Sequence, residues 1–147
     1  VIEAYEAGGA PPYELYALGL SHKHIPEIMA YSGLTRKPVF VPSVGNFDQG
    51  MLVQLPLHFD LLQGEQTVEH LHAVYRRHYD GSQYVTAPDP TPDNKLDAVA
   101  LKNTNNLEIR VYGNDGAQQA VAIARLDNLG KGASGAAVQN LQLMLGL

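Results

Sequence analysis

Cysteine is absent from all 147 residues, which excludes a disulfide scaffold and a thiolate metal site and leaves the chain without a thiol nucleophile. Positive charge is scarce as well. Ten Lys and Arg stand against 15 Asp and Glu, a formal net charge of -5, so no basic stripe is available to displace counterions from phosphates, and nucleic acid is excluded as a partner. No apolar run reaches the length of a membrane span, and the opening VIEAYEAGG is not a signal peptide. No membrane partner is therefore expected, and the cytoplasm is the default location. There is neither an internal repeat nor a low-complexity tract, and the length suits one ordinary domain able to bury a core.

Periodicity predicts a mixed fold. Residues 13–20 alternate as a strand that ends at the polar Ser21-His22-Lys23-His24, and Pro26 suits the first turn of a short helix over 26–31, stopped by Gly33. Residues 38–43 and the long apolar 51–62 read as two further strands, with Gly45 and Gly50 punctuating the link. Thr67 caps a helix running to about Tyr79, with Val68, Leu71, Tyr75 and His78 on one face, and Gly81 ends it. Pro88, Pro90 and Pro92, with Asp89, Asp93 and Asn94, form a loop whose acids are accounted for by solvation. Residues 107–112 and 120–126 form a hairpin around Gly113-Asn114-Asp115-Gly116. The expected class is α+β: a mixed, mostly antiparallel sheet of roughly five strands with helices on one face.

The closing segment, LDNLGKGASGAAVQNLQLMLGL over 126–147, joins a polar glycine-rich turn to an apolar helix. Gly130, Gly132 and Gly135 permit close approach to backbone N–H groups, and the first turn of a helix favours negative charge, with Lys131 as an added cation. G-K-G-A-S-G also meets the dinucleotide fingerprint, but no second strand and acidic residue follow it, so an autonomous dinucleotide fold is rejected. A glycine-rich helix start that merely turns the chain remains open, as does a non-catalytic anion-binding or assembly module.

His22 and His24 project to the same side of a strand end, where a metal is conceivable, yet no third ligand is recognisable nearby and no metal site is assigned. Surface or helix-capping histidines are the plain alternative. His58, His70, His72 and His78 read as core or surface residues, and Ser134 in G-A-S-G-A misses the nucleophile-elbow spacing.

Two blocks a hundred residues apart change the weighting. The segment 126–147 and GLSHKHIPEI over 19–28 resemble N-acetyl-gamma-glutamyl-phosphate reductases, the second through their His-x-His-x-Pro-Glu-Ile motif. VGNFDQGM over 44–51 and TNNLEIRVYGNDGAQQAVAIA over 104–124 are similar in weaker fashion, so the resemblance covers nearly the whole chain. It implies an NADP-dependent oxidoreductase of arginine biosynthesis, related to glyceraldehyde-3-phosphate and aspartate-semialdehyde dehydrogenases, whose second domain is a helix-covered sheet carrying catalytic groups and the subunit interface. It also implies that a nucleotide-binding half with a cysteine nucleophile precedes a region like this one. The chain is thus expected to be the carboxy-terminal portion of a longer reductase. Residues 1–126 would be the substrate-binding, catalytic and dimerisation domain, and 127–147 a helix docking on that NADP-binding half.

The resemblance also assigns residues. Reduction of an acyl phosphate through a thioester needs a thiolate, a proton donor for the forming oxyanion and a hydride source. The first histidine of the motif falls on His22, which becomes the general acid/base, while His24 and Lys23 become substrate contacts. Glu27 is either part of the motif's chemistry or a solvated carboxylate at a helix start. Where many members carry Arg-Gly-Ile, this chain has Gln49-Gly50-Met51, as in a shorter subgroup, so Gln49 would meet the substrate with a neutral amide. The cation for the phosphate is left open among Arg36, Lys37 and Arg110, each of which also reads as surface charge. Asn128 matches a position that holds the nicotinamide carboxamide in the related dehydrogenases, or else simply turns the chain, and Lys131 and Gly132 join it as cofactor contacts. The implied partners are an acyl phosphate substrate, the chain's own nucleotide-binding domain and further copies in a homo-oligomer.

Overall fold

A computed structural model describes residues 2–147, which divide into a unit ending at Phe47 and a unit of Asp48–Leu147. The first contains α1 (Ile2–Glu6), β1 (Tyr13–Leu15), α2 (His24–Ser32) and β2 (Ser43–Gly45), with β1 and β2 antiparallel in the register Tyr13↔Gly45. Two sequence expectations fail here. The strand expected over 13–20 stops at Leu15, because Ala17 and Leu20 take left-handed φ values of 52° and 53° and the Leu20 N–H bonds back to the Ala17 carbonyl. The strand expected over 38–43 exists only from Ser43 onward, since Pro38 and Pro42 have no N–H to give a ladder. The helix starts at His24 rather than Pro26, and His22 sits in the turn before it instead of on a strand end. Gly33, left-handed at φ 70°, closes the helix as expected.

The second unit is a four-stranded sheet in the order β3-β6-β5-β4. Here β3 is Met51–His58, β4 Val85–Thr86, β5 Leu107–Asn114 and β6 Gln119–Leu126, and only β4 and β5 are parallel. The chain is thus α+β with a mixed, mostly antiparallel sheet, as anticipated. β3 is shorter than the expected 51–62 because a 3-10 turn at Phe59–Leu61 swings Phe59 inward. Phe59 and Val111 are fully buried and form a core with Ala120, against which Val68, Leu71 and Tyr75 of α3 (Val68–His78) pack. Three of the four residues expected on that helix face therefore lie inward, while His78 is exposed.

Local chemistry explains where α3 begins. The Thr67 hydroxyl accepts from the His70 N–H at 3.1 Å, and the Asp115 carboxylate accepts from the Val68 N–H at 2.9 Å. Two of the first-turn amides are thereby satisfied, the cap alone being worth about 1 kcal/mol. Asp115 belongs to the hairpin turn, so one residue fixes both the β5–β6 connection and the start of the helix laid across it. The hairpin ladder runs through Gly113 and Asn114, and the turn itself is the 3-10 segment Asp115–Ala117.

The chain closes with a π-helical turn, Gly130–Ser134, leading into α4 (Gly135–Leu145). No residue of α4 is buried; Met144 is 84% exposed, with Val138, Leu141, Leu143, Leu145 and Leu147 also open. Among the described residues, no helix is long and apolar enough to cross a membrane.

Candidate functional site

Within the first unit the turn at 17–20 delivers His22 against Phe40 and Tyr16, at centroid distances of 5.1 and 5.9 Å, with the His24 ring edge-on at 4.7 Å. The His24 backbone N–H donates to His22 Nδ1 at 3.2 Å. A neutral His22 ring therefore carries its proton on Nε2, which leaves a donor on the far side of the ring from its own backbone contact. His22 lines a cavity of about 330 Å³ with Ile25, Met29, Leu20, Ser21 and Lys37. Lys23 occupies the cap position of α2 and is exposed, outside that lining. Glu27 is an exposed first-turn carboxylate of the same helix.

Within the second unit the organising group is Asp127, whose side chain is 0% exposed. One carboxylate oxygen accepts from the Leu129 and Gly130 amides at 2.8 and 2.9 Å, and the other accepts from the Asn103 amide at 2.6 Å and from Gln49 Nε2 at 3.1 Å. The Gly130 N–H is the largest influence holding the carboxyl below the usual carboxylate range; burial opposes it, and Asn103, Leu129 and Gln49 reinforce it. Beside it, the Asn128 side-chain oxygen accepts from the Gly50 N–H at 2.8 Å. Only glycine fits there: at φ 121° a Cβ would lie 2.4 Å from the Ala98 carbonyl oxygen. Gln49 is thus tied to the buried Asp127 carboxylate, and Asn128 to the backbone of Gly50, the next residue after Gln49.

This changes the picture of the glycine-rich entrance. The negative charge that its first amides favour is Asp127's own carboxylate, and the Gly132 N–H bonds to the Asp127 carbonyl at 2.9 Å. Lys131 is engaged too, donating to Gln139 and lying 5.3 Å over the Tyr84 ring. A cavity of about 440 Å³ opens next to this knot, lined by Gln49, Asn103, Asn105, Asp127, Gly130 and Ser134.

Arg110, one of the cations offered for a phosphate, is spent structurally. It donates to Glu108 and to the Asp89 carbonyl, while Arg125 also donates to Glu108 and to the Asp97 carbonyl. Burial opposes ionisation of Glu108, but Arg125 and Arg110 outweigh it and hold this carboxyl low. Sequence reasoning missed Arg125, Glu108 and Asn103, and it saw Asp127 only as a neighbour of Asn128. An aspartate two and three residues ahead of the unpaired amides of a helix start was the available signal. Among the described residues, no group of three or more potential metal ligands occurs.

The lowered Asp127 carboxyl has a consequence for pH. A carboxylate with a depressed folded-state pKa stabilises the fold above its unfolded value, and that contribution disappears as the pH falls through the folded value. Thermal melting followed from neutral pH into acid should therefore show a steeper loss for the parent chain than for Asp127→Asn, which should melt lower at pH 7. Equal acid slopes for the two proteins would contradict this.

Residues 7–128 match the family described as semialdehyde dehydrogenase, dimerisation domain. The chain is 46% identical over 142 residues to N-acetyl-gamma-glutamyl-phosphate reductase 2 of Nostoc sp., a match that covers 92% of this chain and 44% of that protein. It is 49% identical over 138 residues to N-acetyl-gamma-glutamyl-phosphate reductase of Rhizobium etli (91% of this chain and 44% of the relative). To N-acetyl-gamma-glutamyl-phosphate reductase 2 of Pseudomonas putida it is 43% identical over 151 aligned positions, covering 99% and 48% respectively. The chain thus spans less than half the length of the curated relatives it matches.

Proposed function

The chain belongs to the semialdehyde dehydrogenase dimerisation-domain family, and on that premise we propose that it is the substrate-binding and dimerisation part of an N-acetyl-gamma-glutamyl-phosphate reductase. The reaction converts N-acetyl-gamma-glutamyl phosphate, NADPH and a proton to N-acetylglutamate 5-semialdehyde, phosphate and NADP, in arginine biosynthesis. The observation that carries this reading is His22: its Nδ1 is held by a backbone amide and its ring faces a cavity. That arrangement presents a proton at Nε2 to a carbonyl oxygen gaining negative charge. His24, edge-on to His22, and the exposed Lys23 beside it contact the part of the substrate that projects from the cavity. Gln49 does so through the amide oxygen left free by its bond to Asp127. The thiolate that displaces phosphate comes from outside these 147 residues, which hold no cysteine.

Asn128 fits a nicotinamide carboxamide. Its oxygen is occupied by Gly50, which orients the amide and leaves Nδ2 to donate to a carboxamide oxygen. Bound NADPH would supply the hydride, and Asn128, with Lys131 and Gly132 on the same entrance, would hold it on this chain's side. The open apolar residues of α4 support docking of 127–147 on a nucleotide-binding domain, and exposed Val53 and Leu55 on β3, in a family of dimerisation domains, support pairing of two copies. The proposed compartment is the cytoplasm. The alternative of a stand-alone anion-binding module has weaker support, because Asp127 already fills the helix entrance.

Fusion of this chain behind the portion of the Rhizobium etli relative that it does not match provides the test. The hybrid should form NADPH from NADP when supplied with N-acetylglutamate semialdehyde and phosphate. A folded hybrid that lacks this activity, beside an active parent reductase, would refute the assignment.

A further inference from the structure

Three features of the first unit converge on one side chain. The cavity that exposes His22 has an apolar floor of Ile25, which is buried, with Met29 and Leu20, and one cation on its wall, Lys37. Its volume of about 330 Å³ lies within the roughly 300–1,000 Å³ of small-molecule sites. Leu20 on the same wall holds φ 53°, a left-handed conformation that a branched aliphatic residue adopts only when the surroundings impose it, and such strain concentrates where a site must be shaped. Lys37 precedes Pro38, which restricts its backbone to extended conformations and so limits the directions its side chain can take.

The other cations offered by the sequence fall away. Arg110 is bound by Glu108 and the Asp89 carbonyl, and Lys23 and Arg36 do not line the cavity. Among the described residues Lys37 makes no ion pair. An ammonium without a carboxylate partner, beside a proton-donating histidine and over apolar residues, is matched to an oxyanion, and a substrate seated in the cavity would displace water there and strengthen the charge interaction.

We infer that Lys37 is the residue that binds an oxyanion of the substrate in the His22 cavity, a refinement that rests on the reductase reading above. Two oxyanions of an N-acylated glutamyl phosphate have this chemistry, the phosphoryl group and the α-carboxylate. Steady-state kinetics of the fused reductase in the direction of semialdehyde oxidation separate them, because phosphate and semialdehyde are varied independently. Lys37→Met should raise one KM by about 10- to 100-fold, the worth of a charge-assisted hydrogen bond, with kcat within about threefold of the parent. A rise in the KM for phosphate assigns the phosphoryl group; a rise in the KM for the semialdehyde assigns the carboxylate. Lys37→Arg should recover part of the loss, and because Lys37 is exposed both variants should melt with the parent. Both KM values within twofold of the parent would overturn the inference while leaving the reductase reading intact. An inactive fused parent would overturn both.

Discussion

Purified alone and supplied with N-acetylglutamate 5-semialdehyde, phosphate and NADP, the 147-residue chain should form no NADPH above a protein-free control. The reasoning is chemical. Acyl transfer through a thioester needs a thiolate, and the sequence contains no cysteine. A hydroxyl does not replace it at Ser134, whose Oγ donates to the Leu129 carbonyl at 2.9 Å and so serves the π-helical turn. The cofactor would also be held from one side only, by Asn128 and its neighbours. NADPH formation that scales with the concentration of this chain would remove the premise that the nucleophile lies elsewhere.

The open face of α4 belongs to the same account. Each large side chain removed from water contributes roughly 1.5 to 3 kcal/mol, so Leu141, Met144 and Leu145 together outweigh the marginal tendency of an 11-residue helix to form by itself. A helix with this much apolar surface and no buried residue is built to be covered. Docking on a nucleotide-binding domain would cover it and would bring Asn128 to the nicotinamide in the same step.

Features with local causes were legible in the sequence. The Thr67 cap lies three residues from the amide it binds, and the β5–β6 hairpin announces itself through Gly113-Asn114-Asp115-Gly116. Strands were misjudged where alternation met backbone chemistry. The run over 13–20 alternates, but Ala17 and Leu20 turn left-handed, and 38–43 is interrupted by prolines that cannot complete a ladder. β4 has two residues and exists only because Val85 pairs with Leu107, a partner that no local pattern reveals.

The candidate site divides in the same way. His22, Gln49 and Asn128 were readable as members of motifs. What holds them was not, because the ties join residues distant in sequence: Gln49 to Asp127, Gly50 to Asn128, Arg125 to Glu108, and Arg110 to the Asp89 carbonyl. That last tie removes Arg110 from the candidates for phosphate binding, a conclusion that the pattern of charges alone does not give. The role of Asp127 as the anion at its own helix entrance likewise emerges only once the turn at 127–130 is folded.

The central claim is that His22 is the proton carrier of the reductase and His24 a substrate contact. The most direct measurement compares kcat and KM of His22→Asn and His24→Asn in the fused enzyme with the parent. His22→Asn keeps a polar side chain of similar size but removes the Nε2 proton that the His24 amide directs outward, so kcat should fall by roughly 10²- to 10⁴-fold, the usual worth of a positioned acid or base. His24→Asn leaves that backbone amide in place, so it should cost less in kcat and more in KM. Near-normal turnover of His22→Asn together with loss of activity in His24→Asn would contradict the account and exchange the two roles.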